Sequence, residues 1–294
     1  MNSEVHNIGK AYPEKILPKS KTKDQAGKGI SLGPIGVFDS GVGGLTVLSQ
    51  IMYRLPHEDV VYLADTARVP YGGRPPEEII EINTGILNYF EAQGVKMVIM
   101  ACGTSSAIAY PRLKDNYGFP IVSLIEPGSH AALAATRSNK IGIIATLATV
   151  QSGAYQRMLK EIDSDVQVFA EACPLFVPLI EGGFVNADET RRVAREYLKP
   201  LLKAGVDTLV LGCTHYPHLK NILTEITGSN IVFVDPAESA TAEAKDVLVR
   251  QGLSFPPRHQ AKYSYVVTGS VNQFEELGSK LLGRPIVGAK QISI

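Results

Sequence analysis

The chain is poor in cysteine. Only Cys102, Cys173 and Cys213 stand among its 294 residues, and no two form a Cys-x-x-Cys pair. That number excludes a disulfide scaffold, so a reducing cytoplasm is the expected compartment and the thiols are free for chemistry. An excess of one charge is missing as well, because 29 Lys and Arg balance 29 Asp and Glu. A neutral chain argues against a dedicated nucleic-acid binder, whose basic face must neutralise phosphates. No apolar run reaches the length of a membrane-spanning helix. What remains is an ordinary globular composition, long enough for about two domains and a core that needs neither disulfides nor structural metal.

The first 30 residues differ from the rest. Lys10, Lys15, Lys19, Lys21, Lys23 and Lys28 outnumber Glu4, Glu14 and Asp24, and apolar residues are sparse. No apolar core of a secretory signal is present. Residues 1–30 are expected to form a flexible, solvated extension rather than an arm for an anionic effector.

From Ile35 onward, short apolar runs alternate with amphipathic segments. Strands are predicted at 35–38, 60–63, 97–101, 121–124, 141–145, 166–170, 209–211, 231–234 and 263–267. Continuous apolar runs of this length fit strands buried on both faces. A helix is predicted from Pro75 to Gly94, and another over 188–202, with Asp188 as N-cap and Gly205 as terminator. Such alternation implies an α/β fold of mostly parallel sheets flanked by helices.

The chain also repeats itself. Ile35-Gly36-Val37-Phe38 is echoed by Ile141-Gly142-Ile143-Ile144. Val98-Ile99-Met100-Ala101-Cys102-Gly103-Thr104 is echoed by Leu209-Val210-Leu211-Gly212-Cys213-Thr214. The offsets are 106 and 111 residues. Two pseudo-symmetric domains follow, with the ligand cleft between them at the strand C-terminal ends. Pro127 and Pro236 are the expected crossing points. That gives residues 31–126 plus 237–294 for the first domain and 127–236 for the second.

Cys102 and Cys213 end strands at matching places in the two halves. A thiol at a helix N-terminus meets unpaired N–H groups and the positive dipole end, which is expected to lower its pKa towards neutrality. Thiols on opposite walls suit inversion at carbon. One removes a proton from one face, and the other returns a proton to the opposite face. Fixed donors around the substrate carboxylate must then stabilise carbanion character. Candidate donors lie after strands: Asp39-Ser40-Gly41-Val42-Gly43-Gly44, Pro70-Tyr71-Gly72-Gly73, Thr146 and Thr149. The glycine turn lacks a Walker Lys-Ser/Thr, and Thr46 occupies the last place of a Gly-x-Gly-x-x-Gly frame. Cys213-Thr214-His215-Tyr216-Pro217-His218 has too few further ligands at metal spacing, so no metal is expected. His215 reads instead as a proton partner for Cys213 or a satisfied polar residue. Cys173 reads as packing.

These residues resemble a known family. Ile35–Leu45, Tyr62–Gly72, Cys173–Glu181 and Leu211–Pro217 are similar, in that order, to four motifs of the glutamate racemases, among the cofactor-independent aspartate/glutamate racemases. The resemblance implies interconversion of L- and D-glutamate without pyridoxal phosphate or any other cofactor. By motif, Cys102 and Cys213 match the catalytic thiols, with Cys102 working on the D form. Asp39 matches the acid assisting the first thiol; Glu181 and His215 match the groups assisting the second. Asp39, Ser40, Pro70, Tyr71, Gly72, Gly103, Thr104, Thr146, Thr149, Thr214 and His215 fall at substrate-contact positions. The family role implied is D-glutamate supply for peptidoglycan synthesis, hence cell wall biogenesis and cell shape, by a cytoplasmic homodimer. Glutamate is the implied partner, with neither nucleic acid nor membrane.

The chain departs from the family at one place. The usual pattern reads Cys-Asn-Thr where this chain has Cys102-Gly103-Thr104. The missing amide is expected to remove a hydrogen bond to a charged substrate group, worth about 1.5–3 kcal/mol. That change keeps open a racemase of the same mechanism acting on aspartate or another acidic amino acid. A turnover-deficient binding protein is the alternative from another class, and a pyridoxal-phosphate racemase a further one. No lysine has a distinctive context for the latter.

Overall fold

The computed structural model describes residues 32–294. The expectation for residues 1–30 lies outside the described residues. Among the described residues ten strands alternate with helices: β1 Ile35–Asp39, β2 Val60–Ala64, β3 Met97–Met100, β4 Ile121–Val122, β5 Lys140–Ala145, β6 Gln167–Ala172, β7 Thr208–Leu211, β8 Val232–Val234, β9 Tyr263–Val267 and β10 Lys290–Gln291. They form two sheets, ordered β10-β9-β2-β1-β3-β4 and β6-β5-β7-β8. Every pairing is parallel. The run β2-β1-β3-β4 repeats as β6-β5-β7-β8, which is the echo of the sequence made spatial. Cys102 and Cys213 follow the equivalent strands β3 and β7.

Each sheet is covered on both faces. Ile35, Val37, Val60 and Tyr62 pack with the helices Leu45–Arg54 and Pro236–Arg250. Phe38, Leu63, Val98 and Met100 pack on the other side with the helix Pro76–Ala92. In the second sheet Ile144, Leu209 and Leu211 face one cluster, and Ile141, Ile143 and Val210 the other. Adjacent strand residues point to opposite faces, so runs with two buried faces must be apolar throughout. Full burial of a large apolar side chain contributes about 1.5–3 kcal/mol.

The chain leaves the first sheet through the helix Ile125–Ala135 and returns through the helix Pro236–Arg250, and the two helices pack on each other. Pro236 occupies the first helical position, where its missing N–H costs nothing. Asp188 is the first residue of the helix Asp188–Ala204 rather than its cap, since Ala187 takes the extended capping backbone. Gly205 terminates that helix at a φ of 74°. Among the described residues, no helix is long and apolar enough to cross a membrane.

Candidate active site

Asp39, the last residue of β1, opens the glycine turn. It is 2% exposed. Its Oδ1 accepts the Gly41 amide at 2.7 Å, and its Oδ2 accepts the Thr214 hydroxyl at 3.3 Å from the other half of the chain. Burial raises its pKa, against the opposing pull of His215 and these donors. Ser40 places its Oγ 3.8 Å from the Cys102 thiol, which donates to it.

Cys102 caps the helix Gly103–Ile108. The expected fall in its pKa is corrected by the structure, where the thiol is pushed up to about 11. Burial is the main cause and the Asp39 carboxylate the second. They outweigh the Ser105 N–H and the Ser105 and Ser40 hydroxyls. A helix end favours the thiolate only where that charge stays solvated or paired.

On the other wall the Cys213 sulfur lies 3.7 Å from His215 Nδ1. The His215 Nε2 is 2.9 Å from Glu181 Oε1, contributed by the end of the helix Phe176–Glu181. Burial disfavours imidazolium, but Cys213 and Glu181 prevail and raise the His215 pKa to about 10. His215 is therefore charged at neutral pH, with one N–H aimed at a sulfur and the other at a carboxylate.

A hydroxyl cluster spans the walls. Thr104 Oγ1 lies 3.0 Å from Thr146 Oγ1 and 3.5 Å from Thr149 Oγ1, and the latter two are 2.9 Å apart. The Gly72 carbonyl accepts the Ala148 amide at 3.0 Å, which seats the Tyr71 turn against the Thr146 turn. Tyr71 is buried and donates its hydroxyl to Asp65. Asp65 also accepts from Arg68 Nε at 2.8 Å and from Thr268 at 2.7 Å. Pro70, exposed beside Tyr71, follows a cis peptide bond.

Two glycines decide how closely the walls approach. A Cβ on Gly103 would collide with the Gly212 carbonyl oxygen and stand 3.9 Å from the Cys213 Cα, so the two cysteine turns abut backbone to backbone. A side chain at 103 requires these turns to separate. A Cβ on Gly43 would meet the His215 ring, with Cε1 at 2.5 Å, and Thr214 Oγ1 at 2.6 Å. We predict that Gly43→Ala lowers turnover at least tenfold and destabilises the fold by about 1–3 kcal/mol, the range for forced overpacking. Kinetics and thermal melting check both.

The structure thus gathers Asp39, Ser40, Tyr71, Gly72, Cys102, Gly103, Thr104, Thr146, Thr149, Glu181, Cys213, Thr214 and His215 into linked contacts across one junction. Pro70 borders it. Cys173 is fully buried in the second core, as a packing residue should be. Sequence reasoning reached Gly43 only as part of the glycine turn, and missed Tyr62 and Asp65 as residues supporting the site. Their signal was position, since all three lie in strand-and-turn motifs adjoining candidate residues. Among the described residues, no group of three or more His, Cys, Asp or Glu is placed to hold a metal ion.

Known proteins resemble this chain in sequence and in fold. The family model described as Asp/Glu/Hydantoin racemase matches residues 45–244. A glutamate racemase of Picosynechococcus sp. is 44% identical over 86% of this chain and 90% of its own length. That of Geobacter metallireducens is 42% identical over 88% and 96%. The crystal structure of glutamate racemase RacE1 from Bacillus anthracis superposes with a TM-score of 0.86 at 33% identity, covering 89% of this chain and 98% of that one. Glutamate racemase from Francisella tularensis, solved in complex with D-glutamate, gives 0.83 at 33% identity over 89% and 98%. With a family model spanning most of the chain and relatives above 40% identity along nearly all of it, this chain belongs to the glutamate racemase family, within the Asp/Glu/hydantoin racemases.

Proposed function

We propose that this protein interconverts L- and D-glutamate without a cofactor, by proton transfer between Cys102 and Cys213. The observation that carries the proposal is the placement of these thiols at equivalent strand ends of two matching sheets, in turns that touch. One sulfur, as thiolate, takes the α-proton, and the electron pair left on carbon spreads into the carboxylate. The other, as thiol, delivers a proton to the opposite face. Exchange of roles serves the reverse reaction, with Cys102 taking the proton of the D form.

The roles of the surrounding groups are those the family resemblance implies, and their placement supports the reading. Asp39, reached by its own turn, is the acid that assists Cys102. His215, held by Glu181, assists Cys213 by placing positive charge beside the sulfur that must carry negative charge. The hydroxyls of Ser40, Thr104, Thr146 and Thr149 supply donors to the substrate carboxylates, and Thr214, whose proton goes to Asp39, lines the same space. The turn Pro70-Tyr71-Gly72 and the backbone of Gly103 line the same space. Because the Tyr71 proton is given to Asp65, its oxygen is left as an acceptor, suited to the substrate ammonium. The two domains drawn from the sequence are the two walls. The product serves peptidoglycan synthesis in the cytoplasm, and the protein acts as a homodimer.

Proton NMR of L- and D-glutamate in deuterated buffer, with purified protein alone, tests the proposal. Loss of the α-proton signal together with appearance of the other enantiomer is the expected result. Absence of exchange with either enantiomer overturns it. Gly103 supports a second reading, turnover of aspartate by the same mechanism, and exchange confined to aspartate would select it.

A further inference from the structure

The turn that carries Asp39 and Ser40 is held from beneath by a side chain outside the candidate site. Tyr62 stands at the centre of β2, fully buried, between Val37 of β1 and Tyr265 of β9. Its ring stacks on Phe274 of the helix Val271–Leu282, with centroids 6.1 Å apart and planes 21° apart. Its hydroxyl donates to the Gly41 carbonyl at 3.1 Å. On its amide side, Gly41 donates to Asp39 Oδ1 at 2.7 Å. Gly41 is therefore pinned at both its N–H and its C=O. Ser40, between Asp39 and Gly41, carries the oxygen that meets the Cys102 sulfur at 3.8 Å. Burial, with the Asp39 and Cys102 charges, holds the Tyr62 phenol well above its ordinary range, so its proton stays available for donation.

The far end of the same turn is anchored differently. Val42, Gly43 and Gly44 accept amides from the first turn of the helix Leu45–Arg54, those of Leu45, Thr46 and Leu48. The Thr46 hydroxyl lies 3.0 Å from the Gly43 carbonyl and 3.1 Å from the Thr214 carbonyl on the Cys213 wall. His215 is held by Glu181. Loss of the Tyr62 hydroxyl thus removes one of the two anchors of Gly41 and leaves the Cys213 side anchored.

We infer that Tyr62 is a positioning residue for the Cys102 half of the proton transfer, acting through the Gly41 carbonyl. The inference rests on the two-thiol reading proposed above. Rates alone do not reveal such asymmetry. The enantiomers are equal in free energy, so kcat/KM is the same in both directions whichever step is slowed. Isotope effects do reveal it. If Cys102 is impaired, its deprotonation of D-glutamate becomes more rate-limiting, and the deprotonation of L-glutamate by Cys213 becomes less so.

Tyr62→Phe keeps the ring and its stacking while deleting one hydroxyl. The wild type is assayed first for racemisation with α-deuterated D- and L-glutamate, and the variant beside it. The variant is expected to lose about tenfold in kcat with a change of less than about twofold in KM, in keeping with a misplaced rather than missing group. Its isotope effect on kcat/KM is expected to rise with D-glutamate and fall with L-glutamate. Phe274→Leu retains the hydroxyl and loosens the stack. It is expected to lower the melting temperature while both isotope effects stay at wild-type values. Equal isotope effects in both directions for Tyr62→Phe, or an unchanged pair, overturn the inference while the proposed reaction stands. A wild type that does not racemise glutamate overturns the reaction and the inference with it.

Discussion

Cys102→Ser and Cys213→Ser are each expected to reduce racemisation by at least about 10³-fold, the upper range for removing a positioned acid or base. A serine hydroxyl has nearly the shape of the thiol but is far less acidic, so it neither holds the charge of a base nor yields its proton readily. Both cysteines are buried, at 5% and 7% exposure, and serine fits either place, so the variants should melt as the wild type does. The effect is then chemical rather than structural. Mixing the two variants should not restore activity, because both walls belong to one chain. Substantial turnover by either variant would dispose of the two-thiol mechanism.

His215→Asn is expected to cost about 10²–10⁴ in turnover, again the range for a positioned proton-transfer group. The imidazolium faces Cys213 on one side and Glu181 on the other, and its pKa is raised from 6.5 to about 10. A raised pKa means that the charged form persists through neutrality and is lost as the pH climbs past about 10. Wild-type activity should therefore decline in that region, and the Cys102 thiol, at about 11, adds to the decline by losing the proton it must donate. The part of the decline due to His215 disappears in the variant. The sign for stability is the same. The contribution of the His215 charge is complete below about 6.5 and lost as the pH rises through about 10. Thermal melting of wild type and variant between these limits should converge at the alkaline end. A variant with the wild-type rate and pH profile would remove His215 from the reaction.

Much of the architecture was legible because buried parallel strands write themselves as apolar runs. β1, β2, β5, β7 and β9 lie within one residue of the ranges read from those runs at each end. β10 was missed for the converse reason. It is two residues long, Lys290 and Gln291, both exposed, and it has neither length nor apolar content. Asp188 reads as a cap in the sequence because its side chain suits that place. The backbone instead begins the helix one residue earlier than that reading allows, with Ala187 extended. The Gly103 position shows the same limit on the chemical side. Sequence shows a missing amide, whereas the structure shows a backbone contact with Gly212 that any side chain would break.

The linear order of residues sufficed to place two thiols at the ends of equivalent strands, since periodicity and repeats are properties of neighbours along the chain. It also sufficed to place the polar turns after strands, where an α/β sheet presents them to a cleft. The charge state of the site was decided elsewhere. Asp39 and Thr214 are 175 residues apart yet share a hydrogen bond, and Glu181 meets His215 across 34. The Cys102 thiol is driven up by burial and by Asp39, although its helix end alone argued for the opposite shift. Solvation and Coulomb energy depend on which groups occupy the same few ångströms, and only the folding of one wall against the other brings those groups together.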